Sequence, residues 1–283
     1  MKTLVISDIH GNLPALEAVA TVPHDDVICL GDIVGYGPWP GACLAWVRAH
    51  ASLVVQGNHD CSAADGSPPR CRPEFETLAK AVATATATRL SQADRDYLRD
   101  LPRWSSFQQL RRRILCLHAT PRDPRYQYLA NDAAGWAHEL TGVGADLLLV
   151  GHTHLPFVLD INGQCVVNPG SVGQPKDGDP RAAYAILEDG EATLQRIAYS
   201  VDRTIEGLGG LALADDVMTP LAQLLRTGDP AVVRGPPAAI IGRGMADLAA
   251  TPGSSGARPQ LARTCDPLLP SCSSTTESDR NET

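Results

Sequence analysis

Leu4-Val5-Ile6-Ser7-Asp8-Ile9-His10-Gly11-Asn12 runs from an apolar, β-branched segment straight into a carboxylate and an imidazole two residues apart. On an extended backbone that spacing places both side chains on one side. The arrangement recurs along the chain. Val27–Leu30 leads into Gly31-Asp32, Leu53–Val55 into Gly57-Asn58-His59-Asp60, Ile114–Leu117 into His118, and Leu147–Val150 into Gly151-His152-Thr153-His154. A strand end is a rigid place to hang a ligand, and several such ends can converge on one site. Mixed oxygen and nitrogen donors without thiolate suit Mn²⁺, Fe or Zn²⁺ rather than Cu(I) or an iron–sulfur cluster.

The segments between these blocks read as helices in the first half of the chain. Leu13–Val22 has a helical apolar face, with Asn12 as its cap and Pro14 in its first turn, and Gly41–His50 is a second helix. This βαβαβ order predicts parallel strands buried on both faces. Phe75–Leu101 reads as two helical pieces, Ala79–Thr88 and Ser91–Leu101, the second opened by Ser91 with Asp94 and stopped by Pro102. Trp104–Leu110 reads as an edge strand. After His154 the pattern changes to hairpins: Phe157–Ile161 and Cys165–Val167 around Asn162-Gly163, then Ala182–Leu187 and Ala192–Tyr199 around Asp189-Gly190. The expected fold is α/β, a four-layer αββα sandwich of two mixed β-sheets flanked by helices.

Beyond Tyr199 the chain has no Phe, Trp, Tyr or His, and from Gly228 onward Pro, Gly, Ser and Thr dominate. The expected organisation is therefore a catalytic domain over 1–205, a short helical extension over 206–227 and a disordered tail over 228–283, with Ala238–Ile241 its one doubtful stretch. A formal net charge of −8 argues against stable nucleic-acid binding and against attachment to anionic membranes. The N-terminus enters its first strand-like run with no basic n-region, and no apolar run approaches a membrane span, so no signal peptide and a cytoplasmic location are expected. The eight cysteines are scattered without a C-x-x-C pair and are expected to be free thiols.

The order D-x-H, G-D, G-N-H-D, H, G-H-x-H resembles the signature of the calcineurin-like metallophosphoesterase superfamily at every block. The spelling of residues 7–12, 31–38 and 168–175 is closest to its small bacterial and archaeal, phosphodiesterase-like branch. The resemblance covers roughly residues 1–200. It implies one metal on Asp8, His10, Asp32 and His154 and a second on Asp32, Asn58, His118 and His152, with Asp32 as the bridging carboxylate. It implies two divalent ions, Mn²⁺ first, with Fe, Zn²⁺ and Ni²⁺ as alternatives. The implied activity is hydrolysis of a phosphodiester or phosphomonoester, small or nucleotide-like, by in-line attack of a metal-bridging hydroxide, with His59 as the general acid. A scaffold of the same fold that binds a partner protein is the alternative from another class; it fits relatives that have lost ligands, and none is missing here. A nuclease reading is disfavoured by the acidic charge, and the oligomeric state stays open.

Other residues read two ways. Asp60 either orients His59 or caps the following turn. Asn12 contacts substrate or caps the first helix. Arg122, Arg125 and Arg181 bind phosphate or are solvated loop charges. Tyr36 and Trp39 offer a stacking face to a nucleobase or pack their loop. Where the serine/threonine phosphatases of the superfamily carry Asp-Arg-Gly, this chain has Gly35-Tyr36-Gly37, which puts a phosphoprotein-phosphatase identity in doubt.

Overall fold

The computed structural model describes residues 1–234. Ten strands form two five-stranded sheets. In the first, β1 (Lys2–Ile6), β2 (Asp26–Cys29) and the two-residue β3 (Leu53–Val54) run parallel, and the hairpin β9 (Ala182–Glu188)–β10 (Glu191–Ile197) joins antiparallel to β1, giving the order β10-β9-β1-β2-β3. In the second, β5 (Arg112–Leu117), β6 (Leu147–Leu149) and β8 (Gln164–Asn168) run parallel. Their edges are the antiparallel β4 (Trp104–Gln109) and β7 (Phe157–Ile161).

Strand alternation divides the apolar residues into layers. Val5, Ile28, Leu30, Ile114, Cys116, Leu147, Leu149, Val167, Ala185 and Leu187 fill the space between the sheets. Their neighbours Leu4, Ile6, Val27 and Cys29 face outward against α1 (Leu13–Ala20) and α2 (Pro40–His50). On the other side Leu115, Leu117, Leu148, Val150 and Val166 pack on Trp136 and Leu140 of α6 (Ala133–Glu139) and its end. The four layers are as expected, though α6 alone makes the fourth. Each fully buried Leu or Ile contributes roughly 1.5–3 kcal/mol, so both faces of each sheet hold it in place.

The remaining helices form a cover beside the strand ends. They are α3 (Asn58–Asp65), α4 (Glu76–Ala87), α5 (Gln92–Asp100), α7 (Val201–Leu208), α8 (Asp215–Thr227) and the short α9 (Ala231–Arg234). Phe75, Leu78 and Val82 pack with Leu208, Leu221, Leu224 and Leu225 and with Tyr36 of the loop after β2. The boundary expected at 205/206 falls inside α7, whose Thr204 donates a hydrogen bond to Asn12 at 2.8 Å. Ordered structure also continues past 228 into α9. The tail from 235, with Ala238–Ile241, lies outside the described residues. The six described cysteines are free thiols, and no helix among the described residues is long and apolar enough to cross a membrane.

Candidate metal centre

Every residue of the five sequence blocks follows the carboxyl end of a parallel strand, the place where open α/β sheets present ligand-binding residues. Asp8 and His10 follow β1, Asp32 follows β2, Asn58 and His59 follow β3, His118 follows β5, and His152 and His154 follow β6. The loops stay in register beyond the strands. Asp8 N–H donates to the Gly31 carbonyl at 3.0 Å, His10 N–H to Asp32 at 2.9 Å, and Gly151 N–H to His118 at 2.8 Å. Asp8, His10, Asp32, His152 and His154 all have positive φ. Non-glycine residues resist that conformation, and it tends to persist where a site demands it.

The side chains converge into two buried groups, Asp8 with His10 and His154, and Asp32 with His118 and His152; the donor atoms in each lie within 4.8 Å of one another. In the first, His154 Nε2 is 3.2 Å from Asp8 Oδ1 and 3.1 Å from His10 Nε2. In the second, His118 Nε2 is 3.3 Å from Asp32 Oδ2 and 3.1 Å from Asn58 Oδ1. Asp32 Oδ2 is also 3.8 Å from His10 Nε2, so this single oxygen faces both groups. Asp32 Oδ1 is turned away and accepts the His59 N–H at 2.8 Å.

Backbone partners fix which imidazole nitrogen points inward. Nδ1 of His10, His118 and His154 donates to the carbonyls of Val34 (3.2 Å), Leu30 (2.7 Å) and Gln174 (2.5 Å), leaving Nε2 as the atom that faces the site. His152 is reversed: Nε2 bonds the Tyr126 carbonyl at 3.2 Å and Nδ1 is the inward atom. The Asn58 amide donates to the Arg70 carbonyl at 2.9 Å, which sets its oxygen toward His118. Asp8 Oδ1 is buried with no hydrogen-bond partner. An unpartnered carboxylate oxygen among converging lone pairs costs free energy unless a cation joins it. The donors therefore fit a pair of divalent ions.

Electrostatics prepare the same state. Burial alone would raise Asp8, but His154 and His118 outweigh it and hold it well below the usual carboxylate range. Asp32 is likewise depressed, chiefly by His118 and His59 against burial. Burial pushes His10 well down and, together with His118, takes His152 down to about 3. His118 is the exception: burial lowers it, but Asp32 lifts it to about 9. Ionised carboxylates and mostly neutral imidazoles are what cations require.

No hydrogen bond or ion pair joins the Asp60 carboxylate to the His59 ring. It is fully buried, and Oδ2 accepts N–H groups from Asp32 (2.8 Å) and Gly57 (3.1 Å) while Oδ1 accepts those of Ile33 (2.9 Å) and Val34 (3.2 Å). It ties the loop that carries Asp32 to the start of α3. Burial and the neighbouring Asp32 push its carboxyl up to about 7 against those hydrogen bonds. Gly57 has to be glycine, because a Cβ there would collide with the Asp32 carboxylate. His59 has its ring edge-on to His10 with centroids 5.0 Å apart, and lies 4.9 Å from the Tyr36 ring. It lines a cavity of about 300 Å³ with Gly35, Ser62, Ala63 and Pro68, and burial pushes it down to about 4.

The other sequence candidates are placed differently. Asn12 is buried and fully engaged: it accepts from Ala15 N–H and Thr204, and donates to Gly173 and Tyr199. Tyr36 is buried as a wedge between His10 and His59, which leaves no open face for a base. Arg122 engages Glu139 and the His138 carbonyl, Arg125 engages Gln56 and Cys61, and Arg181 engages Asp179. No hydrogen bond or ion pair ties these three arginines to the two donor groups.

Sequence reasoning missed two residues at the site. Tyr128 stacks on His152 with centroids 3.9 Å apart. Lys176 brings Nζ to 3.4 Å from His154 Nε2. Lys176 directly follows the Asn168–Pro175 stretch, so the signal lay one residue beyond the motif.

Proteins of known sequence and structure resemble this chain. An uncharacterised protein of Methanocaldococcus jannaschii is 31% identical over 71% of this chain and 89% of its own length. The phosphodiesterase YfcE of Escherichia coli K12 is 27% identical over 67% of this chain and 88% of its own. The crystal structure of a metallophosphoesterase from Sphaerobacter thermophilus superposes with a TM-score of 0.67 at 34% identity, covering 81% of this chain and 99% of that one. The family model of the calcineurin-like phosphoesterase superfamily domain matches residues 1–191, and with the paired donor groups at its strand ends this chain belongs to that superfamily.

Proposed function

We propose that the protein hydrolyses a phosphodiester or phosphomonoester of a small or nucleotide-like molecule, with Asp8, His10, Asp32 and His154 holding one cation and Asp32, Asn58, His118 and His152 the other. The observation that carries this is the placement of Asp32 Oδ2, one oxygen facing two buried donor groups. Two divalent cations, when bound, supply Lewis acidity that makes water nucleophilic near neutral pH and neutralises phosphoryl charge. Oxygen and imidazole donors favour Mn²⁺, with Fe, Zn²⁺ or Ni²⁺ as competitors decided by supply.

The chain's own residues do the rest. Asp60 holds the Asp32 loop rigid through four backbone N–H groups. The backbone carbonyls on His10, His118 and His154 fix the donor nitrogens. His59 is the proton donor to the leaving oxygen. Pushed down to about 4 by burial, it rests neutral near pH 7 and gains its proton only when an anionic substrate lies beside it. The catalytic unit is residues 1–205 with α7 and α8 braced against it, and we place the protein in the cytoplasm.

Metal analysis and turnover test the reading. The expected result is about two equivalents of metal after reconstitution, with hydrolysis of bis(p-nitrophenyl) phosphate or p-nitrophenyl phosphate in Mn²⁺. Metal-loaded protein that turns over neither compound, nor any member of a nucleotide panel, would sink it.

A further inference from the structure

Lys176 is a half-buried ammonium with no carboxylate among the described residues within ion-pair distance. Among the described residues its polar neighbour is His154 Nε2 at 3.4 Å, and no ion pair includes it. It is held by rings: Nζ lies 4.2 Å from the Phe75 centroid and 5.9 Å from that of Tyr36, contacts that orient a cation. Its place is fixed by the backbone as well. Two residues before it, the Gln174 carbonyl accepts His154 Nδ1–H, so the turn that aims this imidazole also aims the ammonium. Asp8 and Asp32 are near enough to act on it, as are Cys71 and Arg72.

An ammonium beside two cation positions is repelled by them unless an anion lies between. A phosphoryl group is such an anion, and the charge of its third terminal oxygen separates two substrate classes. In a monoester that oxygen is ionised and can accept a charge-assisted hydrogen bond from Nζ; in a diester an uncharged ester oxygen replaces it. The Gly35-Tyr36-Gly37 loop after Asp32 offers no cation, and Arg122, Arg125 and Arg181 are engaged elsewhere. We infer that Lys176 is a specificity-determining residue that binds the third terminal oxygen of a doubly charged phosphoryl group and so selects monoester-type dianions over diesters. This rests on the two-cation phosphoesterase reading above.

Two anions without an ester bond to break test it by calorimetry on manganese-loaded full-length protein: phenylphosphonate, doubly charged above its second ionisation, and diphenylphosphinate, singly charged. Lys176→Met keeps the length and the packing on Phe75 and removes the charge; Lys176→Arg keeps the charge. Loss of one charge-assisted hydrogen bond should weaken phenylphosphonate about 30-fold in Lys176→Met and diphenylphosphinate less than about threefold, with Lys176→Arg recovering most of the difference. The ratio of kcat/KM on p-nitrophenyl phosphate to that on bis(p-nitrophenyl) phosphate should fall in parallel, with metal content unchanged. Equal weakening of both anions, or of neither, overturns the role of Lys176 even if the enzyme is active. The expected split in binding with no turnover of any ester would uphold Lys176 and sink the hydrolase reading. Binding of neither anion by the wild-type protein overturns both.

Discussion

The two donor groups contain similar residues but are built differently. The Asp8 group is a pocket of converging lone pairs: two Nε2 atoms 3.1 Å apart and a carboxylate oxygen with no partner. The Asp32 group is knitted together before any cation arrives, with His118 on Asp32 and on Asn58, and Asn58 on the Arg70 carbonyl. One group leaves a carboxylate oxygen unpartnered, while the other has its donors paired with one another. Asp32 belongs to the second by packing and reaches the first through Oδ2. The groups are therefore unequal, and the asymmetry can be broken experimentally.

The largest effect should follow Asp32→Asn. Removing the shared charge weakens both positions together, so metal content should fall well below two equivalents and kcat/KM by at least about 10³-fold. Two retained equivalents with near wild-type turnover would show that Oδ2 does not serve both groups. Single-group changes separate them further. His154→Ala should cost the ion of the Asp8 group and leave one equivalent, whereas Asn58→Ala removes a neutral donor and should reduce affinity at the other position about 10–100-fold. Metal titrations followed by elemental analysis would read this directly, and identical losses in the two variants would erase the distinction.

Asp60→Asn is the next test, because Asp60 shapes both groups without belonging to either. An amide in its place presents N–H to backbone N–H and leaves two of the four donors unsatisfied. That costs roughly 2–4 kcal/mol, or about 5–10 °C in midpoint for a chain of this size. Activity should drop about 10–100-fold through a displaced Asp32. A stable variant with unchanged metal affinity would show that the Asp32 loop holds without it.

How far the sequence carries can be seen in these same residues. Continuous apolar runs made the parallel strands readable, since a strand buried on both faces has no polar side. The six residues of the two buried donor groups were legible because their blocks follow strand ends. The choice for Asp60 was not, since a G-N-H-D string has no direction and only the loop geometry shows four N–H groups aimed at its carboxylate. Helix α3 was hidden by the same string: Asn58–Asp65 is short and polar, and β3 before it has two residues. Helix α6 was missed as well, although Asp132 caps it and Trp136 anchors it. The reversal of His152 depends on the Tyr126 carbonyl, from a loop 26 residues earlier. Lys176 sits one residue beyond a readable motif, but the rings of Tyr36 and Phe75 that hold it are brought there only by folding.

The smallest effect expected is also the one that distinguishes the groups by proton rather than by metal. His118 is lifted to about 9, from an ordinary value of 6.5, by Asp32 acting against burial. A folded-state pKa above the unfolded one means that folding takes up a proton, so the stabilisation is complete below about pH 6.5 and disappears as pH rises through about 9. The depressed carboxylates Asp8 and Asp32 add nothing to the slope in this window, because both are ionised throughout it; Asp60, lifted to about 7, adds to the loss at its low end, and Lys176, lowered to about 8 by burial, opposes it at the high end. Metal-free protein should therefore lose several degrees of thermal midpoint between pH 6.5 and 9. The metal-loaded protein should trend the other way, since a cation on His118 must first displace that proton and does so more readily at high pH. His118→Asn should remove most of the metal-free loss, while His10→Asn, in the group whose imidazole burial pushes well down, should leave it standing. If His10→Asn flattens the slope instead, the proton resides in the Asp8 group and the two groups have been assigned the wrong way round.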